Sequence, residues 1–255
     1  MEPGVSVEIR DSIAWMTIQG RGDLNLLGLQ VFRELSLRLD EVASGQQVRV
    51  IILRGAGDRA FSAGVDLQEM KALTPLTAEQ FIRTLHQALR KLITSPLPAV
   101  AAIQGPCLGG ALELALACDL RICADDASFG LPEVRVGLPS VIEASLLPRT
   151  IGLGRARAMV LTGESVNAQE AHRIGLVDQV TPKNRLMGQA AEAVQGFMGM
   201  SPYVLSVQKD IISKWLEMGE EDAAEYSIKA FALCFATGHP EEAMNAFLEK
   251  RPAEF

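Results

Sequence analysis

Residues 99–118, AVAAIQGPCLGGALELALAC, carry the clearest structural pattern of the sequence. Its first five residues, Ala99–Ile103, form a short apolar run of β-strand length, and a Gly-Gly pair follows at 109–110. The segment 112–118 then has apolar side chains on nearly every side at helical spacing, which predicts a deeply buried helix. A buried strand, a glycine-rich turn and a buried helix in this order are typical of an α/β core.

The regions on either side of this stretch continue the alternation of strands and helices. Two alternating runs, at 5–9 and 13–18, predict an opening hairpin. Asn25 is a candidate N-cap for a helix whose apolar face repeats at helical spacing from Val31 to Val42. Further strands are predicted at 48–53 and 120–124, and a second helix with an apolar face is predicted from Phe81 to Leu92.

The last third of the chain has a different pattern. Strand signals nearly vanish after about Leu146, apart from 176–180, and turn residues separate a series of helical stretches. These helical stretches are predicted at 154–162, 167–174, 183–199, 201–218, 220–236 and 240–250. The region therefore forms either a separate layer or an assembly surface.

Composition narrows the functional classes. The 255 residues include 24 Lys and Arg against 31 Asp and Glu, a net charge of −7, and 48% are hydrophobic. The apolar fraction excludes intrinsic disorder, and the acidity argues against a nucleic-acid-binding surface. A chain of this length buries enough surface to fold without disulfides or a structural metal, and its three histidines match no zinc-ligand spacing.

The cysteines and the N-terminus favour a reducing compartment. The four cysteines form no CxxC pair, and their residue type predicts reduced thiols packed in the core: Cys107, Cys118, Cys123 and Cys234. The first residues lack the basic and apolar parts of a signal peptide, and no apolar run reaches the roughly 18 residues of a membrane span. We therefore predict a soluble cytoplasmic protein with no membrane or nucleic-acid partner.

Two glycine patterns approach the motifs that bind nucleotide phosphates. Gly55–Ala60 has the form GxGxxA after a strand, but loop-forming residues follow it where a dinucleotide motif needs a helix. Gly105–Gly110 has the spacing of a phosphate loop, but Ala111 and Leu112 stand where Lys and Ser or Thr are required. Ser62 lies in AFSAG, which lacks the first glycine of a nucleophile elbow. The sequence therefore disfavours a bound nucleotide cofactor and a serine nucleophile.

A different chemistry fits the glycines that follow the strands. Gly64 lies in AGVDL and Gly110 in LGGALE, and glycine lets the backbone approach a ligand closely. Backbone N–H groups from two such turns, aimed at one point, would form an oxyanion hole. The alternative interpretation is a pair of tight strand–helix turns with no catalytic role.

Two glutamates accompany these glycines. Glu113 sits one turn into the apolar helix, where an unpaired charge is costly, and Glu133 follows a mainly apolar FGLP segment. Two carboxyls next to an oxyanion hole could divide the roles of acid and base. The alternative is that each glutamate is neutralised by a nearby arginine, such as Arg121 or Arg135.

Taken together, these segments resemble the enoyl-CoA hydratase/isomerase (crotonase) superfamily. The resemblance is carried, in matching order and spacing, by 61–67 (FSAGVDL), 105–115 (GPCLGGALELA), 118–119 (CD), 129–133 (FGLPE) and Gly137. It continues through 161–163 (LTG), 168–171 (AQEA), 175–178 (GLVD) and 247–251 (FLEKR). It covers nearly the whole chain, and its motifs are more specific for the superfamily than for one reaction.

The resemblance implies an α/β fold, a crotonase-like spiral of ββα units with a C-terminal helical trimerisation region. The resulting homotrimers are often paired into hexamers. We accordingly expect a spiral core with the acyl-CoA site at 1–190 and a helical assembly region at 191–255. The resemblance also implies an acyl-CoA thioester as the ligand, with no metal and no tightly bound cofactor, since coenzyme A enters as part of the substrate.

The resemblance also assigns the reacting groups. The backbone N–H groups of Val65 and Gly110 would bind the thioester oxygen. Glu113 and Glu133 match the two glutamates that act on water and the α-carbon in the hydratases. Many members with other chemistries lack one of these glutamates, so the pair favours a 2-enoyl-CoA hydratase. The alternatives are a double-bond isomerase, another acyl-CoA hydrolase or lyase of the superfamily, and a non-catalytic CoA-binding trimer.

Contacts to coenzyme A follow from the same resemblance. Ala63, Asp66 and Leu26 match segments that line the CoA path. Phe247 and Lys250 match C-terminal residues that touch the adenine or phosphate end, often from a neighbouring subunit. The alternative interpretation of Lys250 is an exposed lysine at a helix end.

One segment departs from the common hydratases. After Gly137 they have a glycine-rich Pro-Gly-x-Gly-Gly stretch that lines the acyl pocket, whereas this chain has LPSVIEAS at 138–145. The larger side chains predict a pocket of different shape, lined by Leu138, Val141 and Glu143. Glu143 is either a charge at the start of a helix or a third carboxylate that takes part in substrate selection or catalysis.

Overall fold

Strands and helices alternate along the chain in the computed structural model, which describes residues 2–45 and 47–255. The strands in these residues are β1 (Gly4–Arg10), β2 (Ile13–Gln19), β3 (Val50–Gly55), β4 (Ala99–Ile103), β5 (Pro106–Leu108), β6 (Leu120–Ala124), β7 (Ser128–Gly130), β8 (Val166–Asn167) and β9 (Gln179–Thr181). The α-helices are α1 (Leu29–Ser44), α2 (Leu67–Met70), α3 (Pro75–Ile93), α4 (Gly110–Leu116), α5 (Leu147–Ile151), α6 (Leu153–Thr162), α7 (Ala168–Arg173), α8 (Leu186–Met198), α9 (Pro202–Glu217), α10 (Glu220–Cys234) and α11 (His239–Glu249). Short 3₁₀ turns cover Glu133–Val136, Ile142–Leu146 and Lys183–Arg185.

Six strands form the central sheet, in the order β1-β2-β3-β4-β6-β9. The predicted hairpin is confirmed, because β1 and β2 pair antiparallel with Gly4 opposite Gln19. The remaining neighbours are parallel, and parallel strands need a crossover connection. Here α1, α3 and α4 provide the first three crossovers. A second, three-stranded sheet has the order β5-β7-β8.

Apolar side chains cover both faces of the central sheet. β3 and β4 are buried along nearly their whole length, as is usual for parallel strands with both faces covered. Ile51 and Leu53 face a large core shared with α1, α3 and α4, whereas Val50 and Ile52 face a smaller core against α8. All four cysteines are unpaired and buried, as predicted.

Helix α8 straddles the predicted boundary at residue 190. Its buried residues Leu186, Ala190 and Val194 pack in the smaller core of the central sheet. This face ties α8 to the α/β layer, and the helices after it are the candidates for an assembly region. The division into 1–190 and 191–255 stays a prediction.

The helix after Asn25 begins later than predicted. α1 starts at Leu29, and Gly28 occupies the N-cap position without a side-chain hydrogen bond. Asn25 is instead buried, and its Nδ2 donates to the carbonyl oxygens of Ala56 and Ala60 at 2.9 and 3.0 Å. The predicted cap is wrong because an asparagine amide satisfies whichever backbone groups the fold brings near it. Here it ties the turn before α1 to the loop after β3.

The C-terminal helices expose many large apolar side chains. The following side chains of α9, α10 and α11 are all more than half exposed: Trp215, Ile228, Phe231, Leu233, Met244, Phe247 and Leu248. Exposed apolar surface on this scale usually marks an interaction site. In residues 2–45 and 47–255, no helix combines the length and apolar composition needed to cross a membrane.

Candidate active site

A cavity of about 320 Å³ opens between the glycine turns, α3 and the segment that follows Glu133. Its lining consists of Ala63, Gly64, Val65, Leu67, Met70, Leu73, Ala78, Phe81, Ile82, Leu85, Gly109, Gly110, Glu113, Pro132, Glu133, Arg135, Val136, Leu138, Pro139 and Val141. A mostly apolar wall with a few charged groups is typical of a site for a small molecule. The charged lining residues are Glu113, Glu133 and Arg135.

Two glycine turns bring backbone N–H groups to this cavity. Gly64 has a φ of +100°, and a Cβ there would lie 2.8 Å from the carbonyl oxygen of Leu108, so only glycine fits. The close approach places Val65 beside Gly110, because a Cβ on Gly110 would lie 3.1 Å from Cγ2 of Val65. Within residues 2–45 and 47–255, neither the Val65 nor the Gly110 N–H donates a hydrogen bond. Both residues line the cavity, and both N–H groups are free to bind an acceptor.

Neighbouring hydrogen bonds fix the first of these turns. Leu27 donates its N–H to the carbonyl oxygen of Gly64 at 2.9 Å and accepts from the N–H of Asp66 at 2.9 Å. This β-bridge engages the residues on both sides of Val65 and leaves the Val65 N–H free. The Oγ of Ser62 also accepts from the Gly64 N–H at 3.1 Å. Hydrogen bonds on both sides of Val65 thus hold the turn in the conformation that leaves the Val65 N–H without an acceptor in the described part of the chain.

Glu113 lies in the first turn of α4, and every residue of this helix is buried. Its Oε1 accepts a hydrogen bond from the N–H of Ala144 at 3.1 Å, and its side chain lines the cavity. Burial raises the pKa of Glu113 to about 8, against the opposing effect of the Ala144 hydrogen bond. The negative charges of Glu133 and Glu143 add to the rise. At neutral pH Glu113 therefore holds a proton for most of the time.

Glu133 enters the cavity from the start of its 3₁₀ turn. Gly109 has a φ of +55°, and a Cβ there would lie 2.6 Å from Oε1 of Glu133, so the glycine makes room for this carboxyl. The other oxygen, Oε2, accepts a hydrogen bond from Oγ of Ser140 at 2.7 Å. Glu133 is half-buried, which leaves it more open to solvent than Glu113.

The alternative of neutralisation by arginines is wrong for both glutamates. Arg121 donates to backbone carbonyl groups that follow α4 and α7, and Arg135 donates to the carbonyl oxygen of Thr162 at 3.0 Å. Within the described part of the chain, no hydrogen bond or ion pair joins either arginine to Glu113 or Glu133. Among the described residues, the two carboxyls therefore have no cationic partner by hydrogen bond or ion pair.

The predicted CoA residues near the first glycine turn differ in their placement. Ala63 lines the cavity, whereas Leu26 and Asp66 lie outside its lining. Asp66 is buried, caps α2 by accepting from the N–H of Gln68 at 2.8 Å, and pairs with Arg21 at 2.6 Å. Leu26 forms a β-bridge with Arg21. In a single chain both residues shape the loop before α2 and do not line the cavity.

The predicted C-terminal contacts lie on the surface of the chain. Phe247 is 83% exposed near the end of α11, and Lys250 is the exposed C-cap of this helix. Neither belongs to the cavity lining of a single chain. Their predicted role depends on a neighbouring copy of the chain and stays a prediction.

The segment that departs from the common glycine-rich pattern forms one wall of the cavity. Leu138 and Val141 line it, together with Phe81 and other residues of α3. Glu143 does not line the cavity, so its predicted place in the pocket wall is wrong. It is buried and lies 2.8 Å from Nδ1 of His86, because the turn directs its side chain to α3 rather than into the cavity.

Three groups at this site were not anticipated from the sequence. They are the Ser140 hydroxyl, the Ala144 N–H and the His86 ring. Leu85 lies on the apolar face of α3, and His86 is the next residue, at the edge of this face. Its polar character at that position is the only feature of the sequence that could have pointed to His86. The other two depend on the bend of the 138–144 segment, which no local pattern indicates.

The chain is similar to known proteins over nearly its whole length. Residues 8–255 match the family described as Enoyl-CoA hydratase/isomerase. The chain is 33% identical over 251 residues to a short-chain-enoyl-CoA hydratase from Clostridium acetobutylicum, covering 98% of this chain and 96% of that protein. It is 32% identical over 252 residues to a crotonyl-CoA hydratase from Syntrophomonas wolfei, covering 98% and 97%. A crystal structure of an enoyl-CoA hydratase from Bacillus anthracis is similar, with a TM-score of 0.93, 31% identity and 98% coverage of both chains.

Proposed function

The chain belongs to the enoyl-CoA hydratase/isomerase family, and we propose that it adds water across the 2,3 double bond of an enoyl-CoA thioester. It has the crotonase fold, an α/β core followed by C-terminal helices, as predicted. It is an enzyme of the hydro-lyase class, like the relatives that are named hydratases. The observation that carries the proposal is one cavity lined by Glu113, Glu133, Val65 and Gly110. In the described part of the chain, the N–H groups of Val65 and Gly110 have no acceptor.

The two N–H groups stabilise the charge that develops on the thioester oxygen. When water adds at the β-carbon, electron density moves through the α-carbon to this oxygen and gives an enolate-like intermediate. Donors that are already in place before the reaction need no reorganisation, and removing one such donor typically costs about 10²–10³-fold in turnover. Val65 and Gly110 fill this role because their N–H groups have no competing acceptor in the described part of the chain.

The two glutamates move the protons. One carboxyl takes a proton from water while the oxygen bonds to the β-carbon, and the other delivers a proton to the α-carbon. Glu113 and Glu133 are the carboxyls that line the cavity in the described residues. The raised pKa of Glu113, about 8, keeps a proton in the site at neutral pH. The net reaction converts the enoyl-CoA and one water to a 3-hydroxyacyl-CoA.

The acyl group of the substrate is apolar in this proposal. Phe81, Ile82 and Leu85 of α3 line the cavity together with Leu138 and Val141. A wall of this composition gains free energy by burying methylene groups and offers little to a polar acyl tail. The side chains at 138–145, which replace the glycine-rich stretch, limit the pocket volume that is left for the acyl chain.

Assembly into a homotrimer or a dimer of trimers completes the proposal. The exposed apolar side chains of α9, α10 and α11 form a candidate interface, and contact with further copies of the chain would bury them. Such an arrangement would bring Phe247 and Lys250 of one chain to the CoA end of its neighbour's site. The Lys250 ammonium then binds the phosphate charge of CoA.

One set of assays tests the reaction. Short and medium 2-enoyl-CoA and 3-enoyl-CoA thioesters are supplied, and the conjugated-enoyl absorbance and the products are followed together. Loss of conjugation with formation of 3-hydroxyacyl-CoA is the expected result. Gain of conjugation from the 3-enoyl substrate would assign an isomerase instead. CoA binding without turnover of either substrate would assign a non-catalytic protein.

A further inference from the structure

The turn at Ile142–Leu146 combines two features that each oppose folding. Ile142 has a φ of +44°, in the left-handed region that a β-branched residue rarely adopts. The next residue, Glu143, is only 4% exposed, although a carboxylate is seldom buried without a partner. Interactions elsewhere in the fold must therefore hold this turn in place.

Glu143 has its partner on α3. Its Oε1 lies 2.8 Å from Nδ1 of His86, and the His86 side chain is half-exposed. Its Oε2 is buried and has no hydrogen-bond partner among residues 2–45 and 47–255. The contact thus links the turn to the helix that supplies Phe81 and Leu85 to the cavity wall.

Other charged groups surround the Glu143 carboxyl. Arg90 follows His86 by one turn on α3, and Glu113 approaches from α4. Arg149 of α5, the helix after the turn, is exposed. Burial raises the pKa of Glu143, and the charges of His86 and Arg90 oppose this rise. Glu143 therefore lies between basic groups on one side and a cavity carboxyl on the other.

The same turn also holds Glu113. Ala144, the next residue after Glu143, directs its N–H to Oε1 of Glu113 at 3.1 Å. Two successive residues thus bind two different helices, one through its side chain to α3 and one through its backbone to α4. Rotation of the turn would move the Ala144 N–H away from the carboxyl that it orients.

We propose that Glu143 is a positioning residue for Glu113. Its contact with His86 fixes the turn, and the fixed turn directs the Ala144 N–H at the Glu113 carboxyl. The kinetic consequence rests on the proposed hydratase function, whereas the placement of the carboxyl is measurable without turnover. Glu143 touches no reacting atom, because it lies outside the cavity lining.

The first experiment observes the Glu113 carboxyl directly. Carbon-13 NMR of protein labelled at the glutamate side chains is recorded over a pH titration, and the Glu113 signal is assigned by its loss in Glu113→Gln. In Glu143→Gln the negative charge near Glu113 is gone, so the titration midpoint of Glu113 is expected to fall by about 0.5–1 pH unit. In Glu143→Leu the chemical shift is also expected to change at all pH values, because the turn loses its link to α3.

The second experiment measures turnover. Glu143→Leu and His86→Leu are each expected to lower kcat by about 10–100-fold, with little change in KM, because a small displacement of a reacting group has this effect. If the two residues act as one unit, the double variant loses about as much as either single variant. In Glu143→Gln the high-pH limb of the kcat profile is expected to shift to lower pH, which a purely structural role would not cause.

Controls separate this inference from the proposed function. Glu79→Gln removes an exposed ion pair with Arg83 on the same helix and is expected to leave the Glu113 signal and kcat unchanged. His86 is half-exposed, so His86→Gln provides a second variant if a Glu143 variant fails to fold. An unchanged Glu113 signal and titration in folded Glu143 and His86 variants would overturn the inference. A wild-type chain without hydratase activity would contradict the function alone, since the NMR comparison still decides the positioning role.

Discussion

Glu113 and Glu133 reach one cavity from unlike surroundings, a buried helix and a half-exposed 3₁₀ turn. Replacement of either carboxyl by an amide keeps the shape of the side chain but removes its ability to transfer a proton. We therefore expect Glu113→Gln and Glu133→Gln each to lower kcat by about 10²–10⁴-fold, with a smaller change in KM. Steady-state hydration of a 2-enoyl-CoA measures both constants. Glu41→Gln, on the exposed side of α1, is the matched control, and near-wild-type turnover in either test variant would remove that glutamate from the mechanism.

The same Glu113 carboxyl makes stability depend on pH. Its folded pKa of about 8 lies above its ordinary value near 4.5, so the folded state binds this proton more tightly than the unfolded state. The stabilising contribution is complete below about pH 4.5 and is lost as the pH rises through 8. The amide in Glu113→Gln cannot ionise, so the stability of this variant does not depend on this proton. Relative to the wild type, its free energy of unfolding is therefore expected to increase by about 1–3 kcal/mol when the pH is raised from about 5 to about 9. Urea denaturation at both pH values measures the free energies of unfolding. If the variant and the wild type differed by the same amount at both pH values, the raised pKa would be contradicted.

In the proposed function, residues of helix α3 and of the segment 138–145 form the wall that contacts the acyl chain. Leu138 and Val141 both line the cavity, and they belong to the segment that departs from the glycine-rich stretch implied by the family resemblance. Val141→Gly and Leu138→Gly are expected to shift the ratio of kcat/KM values toward longer acyl chains by about tenfold or more, since one methylene is worth roughly 1–3 kcal/mol in such a pocket. A series of 2-enoyl-CoA thioesters of increasing length measures the ratio. Leu37→Gly on the exposed face of α1 is the control, and an unchanged order of preference would place the acyl chain elsewhere.

Elements whose signal is local were predictable from the sequence. The hairpin, the buried strand at 99–103 and the buried helix α4 each follow from the spacing of apolar residues, and burial enforces that spacing. Asn25 and Glu143 were not predictable, because their partners lie far away in sequence. The Asn25 amide binds the loop after β3, and the Glu143 carboxyl binds α3, so tertiary contacts decide both positions. The two cavity glutamates were predictable because each lies in a short motif that is continuous in sequence, at 105–115 and at 129–133.

The apolar surface of α9, α10 and α11 predicts that the protein assembles into oligomers. Phe231 and Leu233 on α10 are 67% and 63% exposed. A carboxylate at either position would be desolvated at an interface, so Phe231→Asp and Leu233→Asp are expected to convert a trimer or hexamer to single chains. Light scattering after size-exclusion chromatography measures the mass. Leu37→Asp, on the similarly exposed face of α1, is the control, and an undisturbed mass in both α10 variants would place the interface elsewhere.

The proposed assembly would link oligomerisation to substrate binding at Lys250, which lies outside the cavity lining of a single chain. If a neighbouring chain places this ammonium on a CoA phosphate, Lys250→Ala is expected to raise KM for the CoA thioester by about threefold to tenfold while kcat changes little. Salt screens a charge pair of this kind, so the difference from wild type is expected to shrink at high ionic strength. A pantetheine thioester with the same acyl group lacks the nucleotide phosphates and provides the matched control substrate. Equal losses on both substrates would show that Lys250 does not bind the nucleotide part of CoA. A loss confined to the CoA thioester would support a contact between Lys250 and the CoA phosphates.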